Sequence, residues 1–133
     1  MQKPYGKKIY EKKIYVFDLD ETLWDREKLY PDVYDIIRKL RSDGHKIFIA
    51  SYNMEAPRVL EYFGIHKFFH GGAYQRGRSK FDMICEIMKY TGQINNIEFF
   101  DDRPENIEEV SKKSNGLVKA VLVNGGLQWK NIE

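Results

Sequence analysis

The sequence has a single cysteine, Cys85, so an intrachain disulfide and a cysteine-built zinc site are both excluded. Position 91, six residues after it, is Thr91 and not arginine, so the signature of a cysteine-dependent phosphatase is missing too. No apolar run approaches the roughly 20 residues that cross a bilayer. The start, Met1 to Lys8, lacks the apolar stretch of a secretory signal. These absences lead to the expectation of a soluble, cytoplasmic protein with no membrane partner. Neither charge sign is in excess: 22 Lys and Arg stand against 20 Asp and Glu, a net +2, and bulk charge therefore does not announce a nucleic-acid partner. His45, His66 and His70 lack metal-ligand spacing and belong at the surface or at strand edges. There is no repeat and no low-complexity tract.

A chain of 133 residues can bury a core but has little room for a second lobe or a large lid, so residues 1–133 read as one domain. Residues 1–13 read as a basic leader into it. There Lys3, Lys7, Lys8, Lys12 and Lys13 alternate with Tyr5 and Tyr10, a composition that could follow a phosphate backbone but more simply faces water.

Beyond the leader, strand and helix patterns alternate. Ile14 to Phe17 is β-branched or aromatic throughout, which suits a strand covered on both faces. Val33, Ile36, Ile37 and Leu40 recur at helical spacing behind Pro31 and stop at Asp43-Gly44. Lys46 to Ala50 is a second strand, and a helix from about Met54 to Phe63 follows, ending at Gly64. Lys67-Phe68-Phe69 reads as a short third strand. Ser79 and Asp82 resemble a capping box opening a helix whose apolar face carries Phe81, Ile84, Cys85 and Met88. Ile97 to Phe100 is a fourth strand, Pro104 to Asn115 a helix with Ile107 and Val110 inward, and Leu117 to Val123 a fifth strand. This alternation predicts right-handed crossovers and a three-layer α/β/α sandwich around a mostly parallel sheet.

Polar groups cluster where the strands end. Asp18 and Asp20 follow the first, Ser51 and Tyr52 the second, and Asp101 with Asp102 the fourth, while Lys80 begins a helix. In a parallel sheet these ends share one edge, where α/β folds bind ligands. Taken singly, Lys80 would be a surface lysine, Ser51 a helix cap and Asp101-Asp102 a capping turn. Taken together they can converge on one site. Trp24 either lines its mouth or packs beneath the short segment that follows, and Arg76 and Arg78 either grip a second anionic group or lie in a solvated loop.

Asp18-Leu19-Asp20-Glu21-Thr22, Ser51, Lys80 and Asp101-Asp102, in that order, resemble the four motifs of the haloacid dehalogenase superfamily. Thr22-Leu23-Trp24, Tyr30-Pro31 and Phe99-Phe100 before the paired aspartates are similar to its magnesium-dependent phosphatase-1 type. The segment before Tyr30 is shorter than in that type, and Tyr52 stands where an arginine is expected. The resemblance implies a Rossmannoid fold with no cap or a minimal flap, and a phosphomonoesterase acting through an aspartyl-phosphate. Asp18 would be the nucleophile, Asp20 the general acid and base, and Lys80 the balancing cation. Leu19, Thr22, Ser51 and Tyr52 would border the phosphate. Asp18, Asp20, Asp102 and Asp101 would hold Mg²⁺. The implied substrate is a sugar phosphate or a phosphoprotein, such as one bearing phosphotyrosine. A nucleotide or nucleic-acid end is an alternative, as is a non-catalytic scaffold that only binds phosphate or phosphopeptide.

Overall fold

The computed structural model describes residues 12–132. Most of the basic leader, residues 1–11, lies outside them. Lys12 and Lys13 lie within, and both are tied to the fold: Lys12 Nζ donates to the Asp43 carbonyl at 2.8 Å, and Lys13 Nζ pairs with Glu98 at 2.6 Å.

Five strands form one sheet in the order β3-β2-β1-β4-β5: β1 (Ile14–Phe17), β2 (Lys46–Ser51), β3 (Gly71–Tyr74), β4 (Ile97–Asp101) and β5 (Val118–Leu122). Every pairing is parallel. Parallel strands require crossovers, which α1 (Val33–Ser42), α2 (Ala56–Tyr62), α3 (Lys80–Thr91) and α4 (Pro104–Lys113) supply. The two-residue period of β1 divides the core. Tyr15 and Phe17 pack with Val33, Ile36 and Ile37 of α1 and Leu60 of α2. Ile14 and Val16 pack on the other face with Met83, Ile84 and Ile87 of α3 and Val110 of α4. Both faces are thus covered, as an all-parallel sheet requires. Among the described residues no helix is long and apolar enough to cross a membrane.

The third strand is displaced from the position expected of it. Residues His66–Phe68 form a 3₁₀ turn, and β3 begins later, at Gly71. The turn tucks Phe68 and Phe69 against the α1 side of the core, which satisfies their apolarity without a strand. Glycines are poor strand formers by propensity, so Gly71-Gly72 did not announce one. Here Gly72 is required: a Cβ on it would lie 2.7 Å from the Ile49 carbonyl oxygen of β2.

The inward stripe of α3 is also rotated from the expected one. Lys80, Met83, Ile84 and Ile87 are buried, whereas Phe81 and Met88 flank the core and Cys85 is only half-buried. Positions i, i+3, i+4 and i+7 share one face, so turning Lys80 toward the sheet fixes which apolar residues follow it.

Candidate active site

The chain order of the strands reverses beside β1, with β2 on one side and β4 on the other, and that junction is where α/β sheets open a crevice. Phe17 of β1 lies opposite Phe100 of β4, and both face the α1 side. The next residues, Asp18 and Asp101, therefore reach the carboxyl edge at the same level and turn toward α3. The Asp18 N–H donates to the Phe100 carbonyl at 2.9 Å, which locks this register.

Lys80 meets them there. Its side chain is fully buried, and Nζ lies 2.8 Å from Asp18 Oδ1 and 2.6 Å from Asp101 Oδ2. A lysine in the first turn opposes the helix dipole, so this position is stabilised by the carboxylates and not by the helix. Ser79 caps α3 by accepting the Asp82 N–H at 3.0 Å. The ammonium also lies 4.6 Å from the centre of the Tyr52 ring, a cation–π contact that holds the aromatic against the site.

A second layer of hydrogen bonds fixes the acids. Thr22 Oγ1 donates to Asp18 Oδ2 at 3.1 Å. Asn106 Nδ2 donates to Asp101 Oδ2 at 3.0 Å, the Arg103 N–H donates to Asp101 Oδ1 at 2.9 Å, and Tyr52 OH donates to Asn106 Oδ1 at 3.2 Å. Asp102, half-buried beside them, has no ion pair among the described residues. Oxygens of Asp18, Asp101 and Asp102 all lie within 4.8 Å of one another.

Three carboxylates against one ammonium leave this cluster short of positive charge. Burial pushes the Asp18 carboxyl up to about 7; Lys80 works against that shift, and Asp101 and Asp102 add to it. Asp102 is raised as well, by burial and then by Asp101. Burial alone would lower Lys80, but the two carboxylates on it outweigh that and raise it, so the ammonium stays charged. A hard divalent cation with oxygen ligands is what such a donor set accommodates, and Mg²⁺ fits it.

Asp20 stands apart from the three. Its Oδ1 accepts from the Trp24 indole Nε1 at 2.8 Å and from Asn53 Nδ2 at 3.4 Å, and Oδ2 lies 3.6 Å from an Arg26 guanidinium nitrogen. A partly exposed carboxylate, aimed by an indole and separate from the lysine, is placed to move protons. Arg26 also reaches Glu21 at 3.4 Å, so the short segment after the motif is tied down by charge as well as by its Trp24–Leu29 bridge. Trp24 does not itself line the cavity between these groups: its N–H faces Asp20, and its ring packs edge-on against Phe63 at the end of α2.

These groups surround a cavity of about 340 Å³ lined by Asp18, Asp20, Tyr52, Lys80, Asp101 and Asp102, with Glu21, Arg26, Asn53, Arg76, Arg103 and Asn106 completing it. Leu19 and Thr22 are fully buried beneath it and do not line it. Ser51 is buried as well, and its Oγ accepts the Asn53 N–H at 2.9 Å, shaping the loop that presents Asn53 and Tyr52. Thr22 holds Asp18, whereas the orienting partners of Asp20 are Trp24 and Asn53. Sequence reasoning missed Arg26, Asn53, Arg103 and Asn106. Asn106 had one signal: it shares a helical stripe with Val110, where a polar residue needs a buried partner.

No protein-family model matches the sequence, and no curated protein matches it. Solved structures do. A candidate phosphatase from Clostridium difficile superposes with a TM-score of 0.76 at 15% identity, covering 91% of this chain and 89% of that one. A hydrolase from Streptococcus pneumoniae gives 0.69 at 16%, covering 86% and 94%. The N-terminal part of a Bacteroides fragilis protein, containing a phosphatase domain and complexed with Mg, gives 0.67 at 19%, covering 82% of this chain and 35% of that one. These likenesses establish the fold, an α/β/α sandwich of the haloacid dehalogenase-like, Rossmannoid type.

Proposed function

We propose that the chain is a Mg²⁺-dependent phosphomonoesterase of the haloacid dehalogenase superfamily, with Asp18 as nucleophile, and that it is similar to the magnesium-dependent phosphatase-1 type. One observation carries this reading: Asp18 shares the buried Lys80 with Asp101 at the sheet's switch point, while a second acid, Asp20, is held separately in the same cavity. The structural neighbours described as phosphatases support it.

Asp18 attacks phosphorus, and the bond from phosphorus to the ester oxygen breaks as Asp20 protonates that oxygen. Asp20 then takes a proton from water, which attacks the aspartyl-phosphate and releases phosphate and free Asp18. The covalent intermediate divides one difficult displacement into two easier ones. Lys80, already in place, offsets charge on Asp18 and the incoming phosphate without reorganising. Thr22 and Asn106 hold the two carboxylates that Lys80 joins, and Trp24 holds Asp20. Asp18, Asp102 and the Asp20 backbone carbonyl would hold Mg²⁺, with Asp101 alongside. Of that pair Asp102 would be the direct ligand, because Asp101 is already engaged by Lys80, Asn106 and Arg103. When bound, the metal supplies the positive charge that the acidic cluster lacks and that a phosphate dianion needs.

The substrate class proposed is a phosphorylated small molecule, suited to a cavity of about 340 Å³ bordered by only a short flap. The test is hydrolysis of p-nitrophenyl phosphate, followed by sugar phosphates, nucleotides and phosphotyrosine peptides. Turnover should require Mg²⁺, vanish with EDTA and vanish in Asp18→Asn. Folded wild-type protein that binds these esters with Mg²⁺ but releases no phosphate from any of them would instead mark a binding scaffold.

A further inference from the structure

The charges lining the cavity do not all cancel locally. Lys80 is engaged by Asp18 and Asp101, and Arg26 by Asp20 and Glu21. Two cations remain. Arg76 and Arg103 line the same cavity, are exposed, and have no side-chain ion pair or hydrogen bond among the described residues. Arg78, coupled with Arg76 in the sequence reading, is not available in this way, because it pairs with Glu86 outside the cavity.

The two arginines come from opposite sides of the nucleophile. Arg76 follows β3 and Arg103 follows β4, with β2 and β1 between them. At a strand spacing of about 4.8 Å, the two strand ends are roughly 14 Å apart. Two side chains that start so far apart and still line one cavity bracket the space beside Asp18 without contacting its acids. A single transferring phosphate, already faced by Lys80 and the proposed metal, does not require two more guanidinium groups. A guanidinium is suited to a carboxylate or phosphate, which it can bind through two hydrogen bonds.

Building on the phosphatase reading, we infer that Arg76 and Arg103 form a second anion subsite, so that the preferred substrate is a small phosphomonoester carrying a further carboxylate or phosphate. The reacting phosphate lies at Asp18, and the second anionic group is clasped between the two loops. These arginines are specificity determinants and take no part in bond breaking.

Matched ester pairs test this. 3-Phosphoglycerate and glycerol 3-phosphate share a three-carbon skeleton and differ in the carboxylate, while fructose 1,6-bisphosphate and fructose 6-phosphate differ in the second phosphate. In the wild type with Mg²⁺, kcat/KM should favour the more anionic member of at least one pair by about tenfold or more, a ratio typical of a charge-assisted contact. The pair that shows it identifies the anion. Arg76→Gln/Arg103→Gln, with folding checked by circular dichroism, should bring that ratio close to one. No preference in the wild type, or a preference unchanged in the double variant, would overturn the subsite. Failure of the wild type to hydrolyse any of the four esters, and p-nitrophenyl phosphate, nucleotides and phosphotyrosine peptides as well, would defeat the phosphatase reading instead. The subsite is then judged by calorimetric binding of the same four compounds to both proteins, where an unchanged or absent preference overturns it and its loss in the variant supports it.

Discussion

The indole Nε1 of Trp24 donates to Asp20 Oδ1 at 2.8 Å, making a residue only four positions away the closest hydrogen-bonding partner of the proposed general acid. Trp24→Phe keeps an aromatic ring against Phe63 but removes the N–H. The expected result is a kcat lower by about tenfold, the equivalent of one lost hydrogen bond to a charged group, with KM changed far less. Steady-state kinetics on p-nitrophenyl phosphate read this directly. An unchanged kcat would show that Asn53 and Arg26 suffice to aim Asp20.

Lys80 separates two buried carboxylates, so its removal leaves them facing each other. Lys80→Met should cost about 3–5 kcal/mol in urea unfolding without metal, the range for breaking a buried ion pair from one side. Activity should fall by about 10²–10³, as when a preorganised charge is deleted. Adding Asp18→Asn to this variant should restore part of the stability and none of the activity. Equal stability of Lys80→Met and wild type would mean that the carboxylates do not depend on this ammonium.

At the opposite end of the sheet, His45 Nδ1 accepts the Lys13 N–H at 3.0 Å and His70 Nδ1 accepts the Ile47 N–H at 3.1 Å. Each bond needs a bare ring nitrogen. Burial lowers the basicity of both; Lys12 and Lys13 add to this at His45 against Asp43 and Glu98, and Arg41 and Lys46 add to it at His70 against a backbone hydrogen bond at Ile47. Below about pH 6.5 the unfolded chain takes up protons that the folded histidines refuse, so their contribution to stability declines as pH falls through that value. Asp18 works in the opposite direction in the metal-free protein, because its raised value favours the folded state as pH falls. The histidine part is therefore read as a difference. The gap in melting temperature between wild type and His45→Gln/His70→Gln should narrow or reverse between pH 7.5 and 5.5, and a constant gap would refute the linkage.

Gly72 tests the register of the displaced third strand. Its added Cβ would meet backbone, the Ile49 carbonyl oxygen at 2.7 Å, and backbone in the sheet interior cannot swing aside. Gly72→Ala should destabilise the fold by about 1–3 kcal/mol, the usual cost of overpacking. Denaturant titration with an unchanged midpoint would argue that β3 pairs with β2 in another register.

The local sequence determined the alternating elements, the two-faced burial of β1 and the order in which acids, hydroxyl and lysine arrive. Those properties follow from periods of 2 and 3.6 and from where apolar runs stop, which neighbouring residues specify. The third strand escaped that logic, because its glycines are dictated by contact with β2 and not by their own propensity. The division of labour within the site escaped it too. Which carboxylate Lys80 joins, which one Thr22 holds, and why Asn106 is buried depend on β1 and β4 lying side by side with Phe17 opposite Phe100. Residues 62 and 21 positions from Lys80 become its hydrogen-bond partners only when the sheet order sets them beside the start of α3. Tertiary structure likewise separated Arg76 from Arg78, since one loop turns the first into the cavity and the second onto Glu86. A side chain's direction at a strand end is a property of the assembled layers, and no short stretch of sequence carries it.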